Sequence, residues 1–219
     1  MRNYKPLIAE FTGTFCLVFC GAGAVVVNQQ THGIIGHAGV SAVFGLIVIA
    51  MIYSFGSESG AHINPAVTIG FMAAGLFPPK HALSYILAQV AGAILASAAL
   101  KVLFPANEYL GSTIPAGSAL QSFVLEVILS FILMLVILKT SQGAKETGTL
   151  AGLAIGATVM LEALFGGPVS GASMNPARSI GPALVSGHVS VLWIYLIAPT
   201  LGMGAASYLF RPYRSANLS

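Results

Sequence analysis

The stretch Ser59-Gly-Ala-His-Ile-Asn-Pro-Ala-Val-Thr-Ile-Gly70 occurs a second time as Ser170-Gly-Ala-Ser-Met-Asn-Pro-Ala-Arg-Ser-Ile-Gly181. Eight of the twelve positions are identical, and the copies lie 111 residues apart, about half of the 219-residue chain. An internal repeat of this kind predicts one domain, residues 1–219, made of two related halves at about 6–105 and 118–212. In a membrane chain, irregular Asn-Pro elements at matching places in two halves indicate a transport site.

The composition places the chain in lipid. Hydrophobic residues make up 56% of the chain and charged residues only 7%, whereas soluble domains carry about 25% charged residues. So few charges cannot cover a water-facing surface, which predicts an integral membrane protein surrounded by the lipid bilayer. The net charge is +3, but the basic residues are placed along the chain as membrane topology requires. No nucleic-acid partner is therefore expected.

The apolar stretches give the fold class. A hydrocarbon core of about 30 Å needs about 20 apolar residues per helix. Two shorter stretches, 64–75 and 175–186, each begin at Asn-Pro, where Asn suits the N-cap and Pro the first helical position. We therefore expect an all-α membrane bundle of six transmembrane helices and two re-entrant half-helices. The six spanning stretches are residues 6–27, 37–56, 82–104, 119–139, 148–166 and 190–211.

The basic residues give the topology. The loops at about 28–36 and 105–118 hold no Lys or Arg, so the positive-inside rule places both termini in the cytoplasm. Since each half has three spanning helices, the second half enters from the opposite face and the repeat is inverted. The basic residues on the cytoplasmic side are Arg2, Lys5, Lys80, Lys139, Lys145, Arg211 and Arg214.

Asn64 and Asn175 begin the two predicted half-helices. A helix N-terminus carries roughly half a positive charge, so two that meet give about one positive charge at the centre of the membrane. The asparagine N–H groups add neutral donors there. Such a centre repels cations and orients passing water molecules, which interrupts proton relay along a file of water.

Arg178 stands three residues after Asn175, where the first copy has Val67. A guanidinium within the membrane is costly and points to function. One interpretation is a structural ion pair with Glu162 or Glu126. The other, which we favour, is a filter residue that donates hydrogen bonds to the solute.

Three other polar residues are candidates for supporting roles. Glu10 and Glu126 occupy the first helix of each half, and we expect each to accept hydrogen bonds from one re-entrant loop, with a proton relay as the alternative. His62 could line the cytoplasmic vestibule or gate by protonation, or it could pack within its loop with modest exposure to the pore. The pattern of residues indicates no metal site, no cofactor and no enzyme.

These residues resemble the aquaporin, or major intrinsic protein, family over essentially the whole chain. The resemblance implies a right-handed bundle of six helices and two half-helices, assembled as a homotetramer with one pore per subunit. It also implies that the pore is centred on two Asn-Pro-Ala motifs. The motif residues are Asn64, Pro65, Ala66, Asn175, Pro176 and Ala177.

The resemblance also implies a narrow aromatic/arginine filter, located by offset from the two asparagines. Ala163 stands where strict water channels usually have His, which indicates a wider filter. Ser179 stands where glycerol facilitators usually have Asp. The four filter positions are Phe44, Ala163, Ala172 and Arg178.

A third subfamily fits better. The stretches 167–176 and 193–199 resemble the nodulin-type intrinsic proteins of plants and their bacterial relatives, a subfamily that passes glycerol and small hydroxylated solutes such as boric or arsenous acid. The carbonyls from Gly167 to Ser173 would then offer acceptors to the solute. Glu58 and Glu162 depart from that pattern, and the sequence assigns neither a role.

The function expected is a passive channel that conducts water and small uncharged solutes, glycerol among them, and excludes ions and protons. The alternatives are a strict water channel, a coupled secondary transporter and a structural membrane protein with a closed pore. Short loops in a compact chain favour a bacterial inner membrane.

Overall fold

The computed structural model of the chain describes residues 4–141 and 149–211. Arg2, Lys145 and Arg214, which contribute to the predicted topology, lie outside the described residues. The described chain is helical and contains no strand. Its helices are α1 (Lys5–Gln30), α2 (Gly36–Ser59), α3 (Pro65–Ala73), α4 (Pro79–Leu103), α5 (Ala119–Ser141), α6 (Ala151–Ser170), α7 (Pro176–Ser186) and α8 (Leu192–Phe210).

Six of these helices, all except α3 and α7, are long and apolar enough to cross a membrane. The helices α3 and α7 have only 9 and 11 residues, too few to span. The predicted fold class, six spanning helices with two half-helices, is therefore confirmed.

Two helices run further than the sequence predicts. We expected α2 to end near residue 56 and α6 near 166, but they end at Ser59 and Ser170. Each is followed by a glycine in the left-handed conformation, Gly60 at φ 86° and Gly171 at φ 87°. The helices therefore continue up to the glycine that can terminate them.

The helix contacts repeat between the two halves. The helix α1 packs on α4 in the first half, as α5 packs on α8 in the second, and α2 meets α6 between them. Each half-helix packs on a helix of the other half: α3 packs on α8, and α7 packs on α4. Each half therefore uses a helix of the other half to bury its own half-helix.

Close helix contacts depend on glycines that have no room for a side chain. A Cβ added to Gly45 would lie 2.6 Å from the Gly156 oxygen, and one added to Gly156 would lie 2.6 Å from the Gly45 oxygen. This reciprocal contact places a local two-fold axis at the crossing of α2 and α6. Small residues allow the same close approach in lipid generally.

Replacing Gly202 by Ala tests this packing. A Cβ there would lie 2.2 Å from the backbone oxygen of Val127, so α8 must move away from α5. We expect the variant to lose about 1–3 kcal/mol of stability, measured as a lower thermal transition in detergent. Gly204→Ala is the control, because no described atom lies within 4 Å of its added Cβ. Equal transitions for both variants would contradict the packing argument.

Candidate transport pore

The two loops that precede the half-helices share one unusual backbone conformation. In each loop, two residues other than glycine have φ between 40° and 47°. Such left-handed conformations cost roughly 1 kcal/mol or more for each residue. The surrounding contacts must therefore hold the loops in place. The four residues are Ala61, Ile63, Ala172 and Met174.

Glu10 of α1 holds the first loop. Its Oε1 accepts hydrogen bonds from the Ser59 hydroxyl at 2.7 Å and from the His62 backbone N–H at 2.9 Å. Its Oε2 accepts from the Ile63 backbone N–H and from the Gln89 side-chain amide, both at 2.7 Å. The carboxyl is fully buried, and four donors around it satisfy both of its oxygens.

Glu126 of α5 holds the second loop in the same way. Its Oε1 accepts from the Ser170 hydroxyl and from the Ser173 backbone N–H, both at 2.8 Å, and its Oε2 accepts from the Met174 backbone N–H at 2.9 Å. The Tyr195 hydroxyl donates to the Ser170 carbonyl at 2.5 Å. Each half therefore fixes its strained loop with one buried glutamate from its own first helix.

Asn64 and Asn175 cap the half-helices. The Asn64 Oδ1 accepts from the Ala66 N–H at 2.8 Å and, at 3.4 Å, from the following N–H. The Asn175 Oδ1 accepts from the Ala177 N–H at 3.0 Å and from the next N–H at 3.3 Å. Both helices begin at the proline that follows the asparagine, as the N-cap pattern predicts.

The same two side chains also join the two loops. The Asn64 Nδ2 donates to the Met174 carbonyl at 2.7 Å, and the Asn175 Nδ2 donates to the Ile63 carbonyl at 2.9 Å. An amide nitrogen carries two N–H groups, so one N–H of each asparagine is used in this contact and one remains. Both asparagines line a cavity, towards which the remaining donors can act.

Two cavities of about 620 Å³ and 450 Å³ lie along the bundle. Asn64, Asn175 and His62 line the larger one. Asn28 and His37 line the smaller one. Four of the described residues line both cavities and so form the junction between them. These four are Phe44, Ala163, Ala172 and Arg178, the filter positions taken from the sequence.

The junction has one polar side and one aromatic side. The Arg178 guanidinium carbon lies 5.0 Å from the centre of the Phe44 ring. Phe44 packs closely on α1, because a Cβ on Gly21 would lie 2.2 Å from its Cε1. Ala163 and Ala172 add only methyl groups to the remaining sides.

Arg178 is held by a loop that the sequence did not single out. Its Nη1 donates to the Gly111 carbonyl at 2.8 Å. In the described chain it forms no ion pair with Glu126 or Glu162, so the structural ion pair considered from the sequence is absent. Its Nε is buried and has no partner among the described residues.

Gly111 itself is tightly placed. Its φ is +73°, and an added Cβ would lie 2.8–2.9 Å from atoms of Ala22. Two residues further on, the Thr113 hydroxyl donates to Ser179 at 2.8 Å. Ser179 is fully buried and ties this loop to α7. The sequence did not identify Gly111 as a support of Arg178, because it is a single glycine in a loop that contains no recognisable motif.

His62 is packed within its loop and also lies beside the larger cavity. Its ring lies 4.8 Å from the Phe71 and Phe77 rings, and its Nδ1 lies 3.1 Å from the Thr68 hydroxyl. It is 7% exposed, yet it lines the larger cavity. It is therefore a packed loop residue that also faces the pore.

Two acids remain without an evident role. Glu58 is exposed at the end of α2, whereas Glu162 is 1% exposed and lines neither cavity described above. Within residues 4–141 and 149–211, no group of three or more His, Cys, Asp or Glu side chains could hold a metal ion.

Three of the carbonyls from Gly167 to Ser173, which were expected to offer acceptors to the solute, already accept hydrogen bonds within the protein. Because α6 extends to Ser170, the Gly167 oxygen accepts from the Gly171 N–H. The Val169 oxygen accepts from Ala116, and the Ser170 oxygen accepts from Tyr195.

Two opposed half-helices, capped by reciprocal asparagines inside six spanning helices, define a membrane channel of the aquaporin class. The chain belongs to the major intrinsic protein family, whose family model matches residues 1–210. The expected family is therefore confirmed. The chain is a multi-pass membrane protein and a passive channel for water and small neutral solutes, because members of this family are channels.

Relatives and a solved structure agree with this assignment. The chain is 47% identical over 214 residues to "Aquaporin NIP1-1" of Zea mays, covering 97% of this chain and 76% of that protein. It is 44% identical over 211 residues to "Nodulin-26" of Glycine max, covering 96% and 78%. The X-ray structure of the aquaglyceroporin from Plasmodium falciparum superposes with a TM-score of 0.85 at 27% identity, covering 95% and 96%.

Gly111→Ala tests the support of Arg178. We expect the Cβ to displace the Gly111 carbonyl and release the guanidinium, which changes the ratio of glycerol to water permeability in proteoliposomes. Gly36→Ala is the matched control, because Gly36 has φ +71° and no described atom within 4 Å of an added Cβ. It should cost only roughly 1 kcal/mol of backbone strain. A permeability ratio that is unchanged in Gly111→Ala would contradict this role.

Proposed function

We propose that the channel conducts glycerol and other small hydroxylated neutral solutes as well as water, selected where its two cavities meet. The observation that supports this proposal is the composition of that junction. Of its four residues, Ala163 and Ala172 present only a methyl group each. A wide junction with a single polar side suits a solute larger than water.

The chemistry of the junction matches a polyol. Arg178 offers N–H donors to hydroxyl oxygens on one side, and Phe44 offers an apolar surface to the carbon chain on the other. Any ion would have to give up much of its water shell at the junction, which is costly in a site of this kind, and a cation would also meet the positive charge of Arg178. Boric and arsenous acids, which are small and uncharged, fall in the same class.

Exclusion of ions and protons is proposed for the centre of the pore. The N-termini of α3 and α7 meet there and together contribute about one positive charge. The remaining N–H groups of Asn64 and Asn175 orient the oxygen of a passing water molecule. Water held in this way cannot relay a proton along the file. Pro65, Ala66, Pro176 and Ala177 complete the turns that bring these groups together.

The supporting residues are assigned roles by their contacts. Glu10 and Glu126 keep the two loops in their strained conformation, and His62 forms part of the vestibule wall. The two halves, residues 6–105 and 118–212, form one channel domain, since each half-helix is buried by the other half. No reaction is assigned to any residue.

We further propose that both termini face the cytoplasm, on the evidence of the basic residues in the sequence. The relatives reported above include plant proteins, and nothing in them supports the bacterial inner membrane expected from loop length. We therefore propose no source membrane.

A homotetramer is proposed for the assembly. The outward face of α6 carries large exposed apolar side chains, among them Leu161, Leu164 and Phe165, which lipid or neighbouring subunits can cover. The mass of the purified complex in a small detergent micelle, measured by light scattering, should correspond to four chains. A mass of one chain that persists across several mild detergents would contradict this assembly.

Ala163→His tests the selectivity proposal. The imidazole would fill one apolar side of the junction, so we expect glycerol permeability to fall by about tenfold or more, as steric exclusion at a narrow site does, while water still passes. The measurement is stopped-flow light scattering of proteoliposomes after a sucrose jump and then a glycerol jump. Ala163→Ser, which stays small, is the control and should conduct glycerol like the parent protein.

The parent protein itself decides between the main candidates. Fast shrinkage in sucrose followed by fast reswelling in glycerol supports the proposal. Fast shrinkage with no reswelling beyond that of empty liposomes would instead identify a strict water channel.

A further inference from the structure

Glu162 stands apart among the acids within the bundle. It is 1% exposed, and neither oxygen of its carboxyl has a hydrogen-bond partner among the described residues. Glu10 and Glu126, by contrast, accept four and three hydrogen bonds. Buried polar groups are nearly always paired. The Glu162 carboxyl therefore calls for a hydrogen-bond partner other than the described residues.

The position of Glu162 on α6 shows where such a partner can come from. Residues three and four apart share one face of a helix, so Glu162 lies on the face of Val159 and Gly166. A Cβ on Gly166 would lie 2.7 Å from Leu129 and 3.5 Å from the Ala172 Cβ. This face is therefore turned towards α5 and the second re-entrant loop, and Val159 on the same face lines the larger cavity.

The next residue along the helix reaches the pore itself. Ala163 lines both cavities at the junction. Glu162 is thus the chain neighbour of a pore wall that, at Ala163 and Ala172, presents only methyl groups. A glutamate side chain has several rotatable bonds, so it can turn towards an opening that no larger side chain blocks.

The nearby acid Glu126 favours the protonated form of the Glu162 carboxyl. Glu126 lies close enough to interact electrostatically with Glu162, and Glu126 is the acid whose oxygens receive the loop N–H groups. A second, unpaired negative charge beside it in the membrane interior is unfavourable. The protonated acid suits this place better, and it offers both an O–H donor and a carbonyl acceptor.

We propose that Glu162 is a specificity-determining residue of the channel, whose carboxyl exchanges hydrogen bonds with a hydroxyl of the solute as it passes between Ala163 and Ala172. The inference rests on the proposed function and deepens it. Arg178 would hold the solute from one side of the junction and Glu162 from another. A polyol, with several hydroxyls, can use both at once, whereas water gains less from the second partner.

Two substitutions separate this role from a structural one. Glu162→Gln keeps a neutral donor and acceptor of the same size, and Glu162→Leu removes both. In stopped-flow measurements we expect Glu162→Leu to lose about three- to tenfold in glycerol permeability, the equivalent of one hydrogen bond, with water permeability close to that of the parent. Glu162→Gln should stay close to the parent in both.

Met51→Leu provides the matched control. Met51 follows Gly45 by six residues, as Glu162 follows Gly156, and those two glycines form the reciprocal crossing of α2 and α6. Met51 therefore occupies the equivalent place in the other half. Its substitution should leave the ratio of glycerol to water permeability unchanged.

Infrared spectroscopy gives a readout that does not depend on the leucine variant folding. The C=O stretching band of a protonated buried carboxyl should shift when glycerol is added to the parent protein, and the shifting band should be missing in Glu162→Gln. A band that glycerol does not shift would overturn the inference.

The permeability outcomes distinguish this inference from the proposed function. A parent protein that does not conduct glycerol would overturn the proposed function itself. A parent that conducts glycerol, together with a Glu162→Leu variant of unchanged glycerol-to-water ratio, would overturn the role of Glu162 alone. Equal glycerol losses in Glu162→Gln and Glu162→Leu would also overturn it, because the neutral amide should replace the acid.

Discussion

The centre of this protein depends on one reciprocal contact, in which each asparagine cap reaches across to the loop of the other half. Asn64 and Asn175 each close their own half-helix with Oδ1 and hold the opposite loop with Nδ2. The two Nδ2 contacts cannot form without the other half in place. The two loops have left-handed backbones that are unfavourable on their own, and Glu10 and Glu126 supply the acceptors that fix them. The pore therefore exists only as a product of the assembled bundle.

The pore is built from two similar halves, and the selectivity proposed for it lies where the halves differ. The junction has Arg178 where the first half has Val67, so the guanidinium appears once, at one end of the path. The vestibule has His62 where the second half has Ser173, and each contacts the hydroxyl one turn along its half-helix, Thr68 or Ser179. The repeated glutamates and asparagines thus hold the scaffold, whereas Arg178 and His62 each stand on one side only.

Much of this architecture could be predicted from the sequence, because the repeat places Asn, Pro and Gly at positions with a strict backbone requirement. The half-helices and the caps follow from Asn-Pro, and helix lengths follow from the thickness of the bilayer. The ends of α2 and α6 were predicted too short, since apolar content does not show where a helix stops. The left-handed glycines Gly60 and Gly171 determine that instead.

The contacts that the sequence did not predict are mostly made by backbone carbonyls in loops. Gly111 holds Arg178 through its carbonyl, and any residue type carries a carbonyl, so no motif marks the contact. Likewise, the carbonyls of Val169 and Ser170 were expected to serve the solute but are bound to Ala116 and Tyr195. The isolation of Glu162 also needed the structure, because a sequence does not show which side chains surround an acid on a helix.

We expect the meeting of the two half-helices to pass neutral solutes by diffusion and to stop protons. Glycerol uptake should be measured in proteoliposomes that carry a pH-sensitive dye, with and without an imposed proton gradient. Glycerol uptake should be the same in both conditions, with no proton flux beyond that of empty liposomes. Uptake that follows the gradient, or proton flux that accompanies glycerol, would contradict this expectation.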